Sequence, residues 1–186
     1  LLKGDYEQSY YYYTALKGNY FNTQSYNFEV IYSYYNYLGE FYYTFGEWDE
    51  AFEYSQKVIE LCKKHSNIEY LMSKTRIILI KYFKDRLYTK DSIEDIRREF
   101  RNNNLGYDRR KALLYLSIIP FTEGDYEYVL DLLKEDSKLK ENFPTPSFNY
   151  LRKILLYNST NEPNSYDNIK KLEEEMKKHH LLYIDL

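Results

Sequence analysis

The chain has 186 residues, 44% hydrophobic and 30% charged, with a net charge of −3, which is enough apolar material for one sizeable core or one continuous run of stacked elements. No apolar run approaches the length of about 18 residues that marks a transmembrane helix, and six glycines and four prolines are too few for a many-stranded β chain. Twenty-five tyrosines exclude a disordered tail, and a lone cysteine, Cys62, excludes a disulfide framework and a cysteine-cluster zinc site.

The chain opens on Leu1, and Gly4-Asp5-Tyr6 already reads as the middle of a structural unit, with no signal-peptide pattern before it. The expectation is a segment of a longer, cytoplasmic protein with no membrane span. Hydrophobic periodicity predicts a first helix over about 5–17 and a pair over about 25–45 and 48–64. Further pairs follow at about 68–86 and 92–102, 108–122 and 126–136, and 146–158 and 165–179. Apolar side chains recur at helical spacing in Ile77, Leu79, Ile80 and Phe83, and again in Leu113, Leu116, Ile119 and Pro120. Asp91 followed by Glu94 resembles a capping box. Thr145-Pro146 sets a cap before a proline at the first helical position, and 102–106 reads as a turn. The terminal 181–186 stretch is apolar and reads as the first turn of a further element.

A period of about 40 residues underlies these helices. Gly4-Asp5-Tyr6, Gly46-Glu47-Trp48 and Gly124-Asp125-Tyr126 each place a glycine, an acid and a large aromatic between two apolar stretches. They lie 42 and 78 residues apart, and degenerate copies stand at Arg86-Leu87-Tyr88 and Asn164-Ser165-Tyr166. Glycine permits the left-handed residue that ends a helix. The acid suits the start of the next helix, and the aromatic fills the crevice between the two. Each unit is therefore a helical hairpin that buries its apolar face by stacking on a neighbour. The expected repeats run over 1–22 (partial), 23–66, 67–104, 105–143 and 144–186, within one repeat domain.

Charge is laid out unevenly. Residues 1–62 carry 3 basic and 9 acidic side chains, residues 63–120 carry 14 and 7, and residues 121–186 carry 9 and 13. The basic band, which includes Arg97, Arg98, Arg101, Arg109, Arg110 and Lys111, suits a phosphate backbone or an acidic peptide. Neutralisation by neighbouring acidic helices is the structural alternative.

The stretch Tyr35, Leu38-Gly39, Tyr42, Gly46, Trp48, Ala51, Tyr54 and Leu61 resembles the tetratricopeptide repeat. Tyr35 stands for the usual Trp, and Ala51 for the small residue where the two helices touch. Ser55 stands where a large aromatic is usual, and Lys63 where the closing proline is usual. Other repeats match in part, with Ile78, Leu116 and Leu156 in the place of Leu38, Tyr82 in that of Tyr42, and Val129 and Ile169 replacing the small residue. The resemblance implies an all-α fold, a right-handed superhelix (α-solenoid) of antiparallel helix hairpins. Repeats longer than the standard form look like those of bacterial regulators, such as peptide-pheromone receptors and the sensor arms of transcription activators. The Tyr, Asn, Lys and Ile content gives the impression of an AT-rich bacterial genome.

The resemblance also implies that the first helix of each pair lines a concave groove holding a protein or peptide. Its residues would be Ser33, Asn36, Glu40, Tyr43 and Thr44; then Ser73, Arg76, Ile80, Phe83 and Lys84; then Lys111, Leu114, Ile118, Phe121 and Thr122. Among these, Asn36 could bond a peptide backbone, Arg76, Lys84 and Lys111 could hold a carboxylate, and Tyr43, Phe83 and Phe121 offer apolar contact. Ile80, Leu114 and Ile118 read equally well as packing. A chaperone-tail clamp is not expected, because Glu40, Ile77 and Ile80 occupy the places of its Asn side chains.

No phosphate-binding glycine loop and no HExxH pattern is present. His179-His180 point about 100° apart on a helix and chelate poorly, His65 suits a helix C-terminus, and Cys62 reads as a buried thiol. Glu173-Glu174-Glu175 among Lys170, Lys171, Lys177 and Lys178 reads as a solvated ion-pair face. The expectation is a binding protein, not an enzyme, without cofactor or metal. Flanking domains of the same protein are candidate partners. The rival readings are a peptide-sensing domain of a transcriptional regulator and nucleic-acid binding by the basic band. Crowded tyrosines such as Tyr10 to Tyr13 suit either a binding surface or an end helix lacking its neighbour. Such an end helix would favour a homodimer.

Overall fold

The computed structural model describes residue 11 and residues 28–63, 68–103, 106–134, 146–160 and 164–178. The expected helix at 5–17, the Gly4 motif, Thr145, His65, His179, His180 and the side chains of Lys177 and Lys178 lie outside the described residues. Among the described residues every regular element is a helix. They are α1 (Phe28–Thr44), α2 (Trp48–Cys62), α3 (Ile68–Asp85), α4 (Lys90–Asn102), α5 (Gly106–Leu116), α6 (Ile118–Thr122), α7 (Tyr126–Lys134), α8 (Pro146–Ser159) and α9 (Ser165–Lys178). No helix among the described residues is long and apolar enough to cross a membrane. The chain divides into two compact units between Arg76 and Ile77, inside α3.

The first unit is built on the α1–α2 hairpin. Gly46 takes a φ of 74°, and the backbone closes by Glu47 N–H to Tyr42 carbonyl (3.0 Å) and Gly46 N–H to Tyr43 carbonyl (3.2 Å). This pair of bonds satisfies carbonyls that a helix end would leave open. Leu38, Phe41, Ala51, Val58 and Cys62 are fully buried. Ala51, with no side chain beyond Cβ, lets the helices approach. Tyr54 stacks on Tyr42, with ring centroids 5.6 Å apart, and on Tyr35 at 5.9 Å. The Lys57 ammonium lies 4.8 Å from the Tyr54 centroid, a cation–π contact that covers the outer edge of the stack.

The second unit repeats the same turn. Gly124 takes a φ of 76°, with Asp125 N–H to Pro120 carbonyl (2.8 Å) and Gly124 N–H to Phe121 carbonyl (3.1 Å). Every one of these atoms lies 78 residues beyond its counterpart in the first turn. The match extends into the next helix, where Ala51 N–H bonds Glu47 carbonyl and Val129 N–H bonds Asp125 carbonyl. It extends to the aromatics too. Trp48 meets Tyr43 at 5.6 Å, and Tyr126 meets Phe121 at 5.9 Å. The aromatic of the motif therefore packs on the end of the preceding helix, and Tyr126 stays 46% exposed instead of filling the crevice.

The degenerate copy keeps the conformation without the glycine. Arg86 has a φ of 54°, the sole non-glycine residue with positive φ among the described residues. Its turn is one residue wider, closed by Leu87 N–H to Lys81 carbonyl at 3.2 Å. Its guanidinium lies 5.1 Å from the Tyr82 ring centroid, a contact that offsets part of the left-handed strain.

Two local expectations are corrected. Thr89, not Asp91, caps α4: its hydroxyl accepts from Ser92 N–H at 3.2 Å, and the Ser92 hydroxyl donates to the Thr89 carbonyl at 2.6 Å. Glu94 turns instead to Arg97 and Tyr128. The expected helix over 108–122 is divided into α5 and α6 at Ser117. Pro120 has no N–H for the Leu116 carbonyl and its ring crowds that carbonyl. The Ser117 hydroxyl closes the break onto the Leu114 carbonyl at 2.6 Å.

Leu114, Ile118, Val129, Leu133, Leu151 and Leu155 form a buried core cluster in this unit, drawn from α5, α6, α7 and α8. Polar ties link elements of this unit. Tyr82 hydroxyl donates to the Glu123 carboxylate at 2.6 Å, and Arg97 meets Asp131 at 2.8 Å. Asp125 accepts from Tyr128 N–H at 3.3 Å and pairs with Lys90 at 2.5 Å. That bond to Lys90 holds the Asp125 carboxyl below its ordinary pKa. Glu47, one methylene longer, makes no such cap at the equivalent turn.

A Cβ at Gly124 meets nothing within 4 Å, so Gly124→Ala should cost about 1 kcal/mol in urea unfolding through left-handed strain alone. Arg86→Gly should shift stability the other way by less, because the Tyr82 contact is lost. Asp125→Asn keeps a capping side chain and removes the charge. The stabilisation by this lowered carboxyl is fully present above the ordinary value of 3.8 and is lost as pH falls through its folded value. Thermal melts of the variant against wild type should therefore differ most near neutral pH and converge at low pH.

Candidate functional site

Five of the candidate site residues lie in the first unit, and three of them, Asn36, Tyr43 and Arg76, come together. Asn36, Glu40, Tyr43 and Thr44 lie on α1, and Arg76 lies on α3. The Arg76 side chain is buried and donates through Nη2 to Asn36 Oδ1 at 3.1 Å and through Nη1 to Ser55 Oγ at 3.2 Å. It reaches them because Gly39 leaves room, since a Cβ there would stand 2.7 Å from Arg76 Nη1. Tyr43 joins the cluster electrostatically: burial pushes its phenol far up, while the Arg76 charge pulls the other way.

This arrangement explains a departure noted in the sequence. Ser55, noted above for its departure from the resemblance, is fully buried. The guanidinium of Arg76 lies against the small Ser55 side chain, where a large ring would clash with it. Asn36 and Arg76 are thus bonded to one another and tie α1 to α3. Glu40 is half-buried, and Thr44 is exposed with its hydroxyl donating to the Glu40 carbonyl at 2.8 Å. Ser73 is buried.

The remaining site residues lie in the second unit. Phe83 and Phe121 are half-buried and pack against the core cluster, as do Tyr115, Phe148 and Leu156. Lys84 is exposed. Lys111 places its ammonium 5.3 Å from the Phe148 centroid and 5.8 Å from that of Tyr115, while the two rings meet edge to face at 5.7 Å. Asp108, one turn before Lys111, has its carboxyl pushed up by burial and drawn back down by Lys111. Ile80, Leu114 and Ile118 are buried, so their packing reading holds. Tyr115 and Phe148 were not singled out in the sequence. Their signal is weak, because an aromatic three or four residues from a lysine on a helix is common.

The basic band is built into the fold in part. Arg97 and Arg110 are buried, and Arg97 bonds both Glu94 and Asp131. Arg98 is exposed and pairs with Asp95 at 3.4 Å, while Arg101 is exposed. Cys62 is buried. No group of three or more His, Cys, Asp or Glu among the described residues is placed to hold a metal ion.

No protein-family model, curated protein or solved structure matches this chain.

Replacing Ser55 by the aromatic usual at that position should displace Arg76. Ser55→Phe is expected to cost about 1–3 kcal/mol from overpacking, and Ser55→Ala about 1 kcal/mol from one lost hydrogen bond. Equilibrium urea unfolding of both variants measures this, and a neutral Ser55→Phe would show that the site has room for a ring.

Proposed function

We propose that this chain is a tetratricopeptide-like helical scaffold, its hairpins stacked as a right-handed superhelix, and that it binds a protein or peptide segment along the first helix of each pair. The observation that supports this most is the recurrence of one helix-ending turn at an interval of 78 residues, with the same hydrogen bonds and the same aromatic contact. Repetition at that level is what a stacked scaffold requires, because every hairpin must present the same faces to its neighbours. The role is capture, without a reaction, a cofactor or a metal. In a cytoplasmic regulator it would hold a peptide signal or a partner domain.

The first-helix residues differ in what they can offer a ligand. Asn36 and Arg76 are committed to each other, so they shape the surface more than they supply open contacts. Glu40, Thr44, Lys84, Lys111 and Phe121 retain exposure and supply polar and apolar contact. Burial and pairing of Arg97 weigh against nucleic acid as the ligand, because that charge is already neutralised by Glu94 and Asp131.

The test is capture from lysate by the whole chain. Glu40→Lys/Thr44→Lys and Lys84→Glu/Lys111→Glu should each weaken retention of a partner held by wild type. Gln56→Lys/Glu60→Lys, on exposed positions of α2, should not. Circular dichroism melts confirm that the variants are folded. A partner retained equally by every variant would place binding away from the first helices.

A further inference from the structure

The second unit carries a charge segregation that composition alone hides. Its first-of-pair elements are residues 77–85 of α3, α5, α6 and α8, and together they hold seven basic and two acidic residues. Its second-of-pair helices, α4, α7 and α9, hold nine basic and ten acidic residues. The basic excess of this unit's helices therefore sits on the first helices.

The same helices carry the half-buried aromatics. Phe83, Tyr115, Phe121 and Phe148 each pack one side against a single core cluster and keep part of their surface in water. Lys111 stands over two of these rings, and Lys84 follows Phe83 directly. Lys81 and Lys153 are exposed on the same helices, Lys153 beside the Tyr150 ring at 5.7 Å. Partly exposed rings bordered by ammonium groups offer apolar contact and a carboxylate partner side by side.

We infer that the first helices of the second unit dock an acidic peptide segment of a partner protein, one that carries aromatic or aliphatic side chains among its carboxylates. This rests on the scaffold reading above and names the chemistry of its ligand. The charge complements an acidic segment, and the rings supply anchor contacts. A polynucleotide fits less well. Its closely spaced phosphates ask for a dense track of guanidinium and ammonium groups, whereas here Arg110 is buried and the ammonium groups stand among aromatic rings.

An array of random peptides probed with the whole labelled chain tests this. The expected binders combine Asp or Glu with Phe, Tyr, Trp, Leu or Ile. Lys84→Glu/Lys111→Glu should weaken them about tenfold, with Arg98→Glu on α4 as the unaffected control. Affinity should fall as salt rises. Replacing the apolar residues of a binder by Ser should also abolish binding. Binders that are basic or neutral, yet lost with Lys84→Glu/Lys111→Glu, would overturn the inference and leave the scaffold reading standing. No binders at all would overturn both. A single-stranded oligonucleotide held more tightly than any peptide would overturn the inference in favour of nucleic acid.

Discussion

The left-handed residue at the end of a first helix is the constraint on which the hairpins depend. A helix end leaves carbonyls unsatisfied, and a chain that must reverse within three residues has few ways to bond them. Gly46 and Gly124 solve this identically, turning the next backbone N–H onto the carbonyl five residues back. Once the chain has reversed there, the second helix lies along the first, and small or apolar residues such as Ala51 and Val129 are buried between neighbours. Arg86 shows that the geometry outlasts the glycine. The conformation is held by the surrounding packing, including the Tyr82 ring under its guanidinium.

A second constraint is polar. Burying a guanidinium is costly unless hydrogen bonds replace water. Arg76 meets that need with Asn36 and Ser55, and Arg97 meets it with Glu94 and Asp131. Arg76 bonds the neutral Asn36 and Ser55 side chains, and its charge acts against the upward shift of the buried Tyr43 phenol. Carboxylates receive Arg97, so its charge is spent inside the fold. The net charge of a segment does not reveal which of its charges are neutralised inside the fold.

The surface proposed to bind follows from the same arrangement. First helices in the second unit bring basic side chains and half-buried rings together because one side of each ring belongs to the core. Such rings are held in place by packing before any ligand arrives, which lowers the entropic cost of contact. Lysine stems lie along apolar surface with their charged heads outward, as at Lys111 over Tyr115 and Phe148.

The sequence by itself determined the helices, their pairing and the period. Those features rest on local chemistry: apolar spacing, a glycine where φ must be positive, and an acid before the next helix. It located the turns at Gly46, Arg86 and Gly124, and among its candidate residues were Asn36, Tyr43 and Arg76, which the structure sets beside one another. It missed the break that Pro120 imposes, and it assigned the α4 cap to Asp91 instead of Thr89, because several residues near a helix start can satisfy the same N–H groups. Only the tertiary structure decided which charges are neutralised and which side chains share a core. It also decided that the small Ser55 side chain faces a buried guanidinium. Those outcomes depend on residues tens of positions apart, such as Ser55 and Arg76 or Arg97 and Asp131. No local pattern encodes the volume or the dielectric that such partners create for one another.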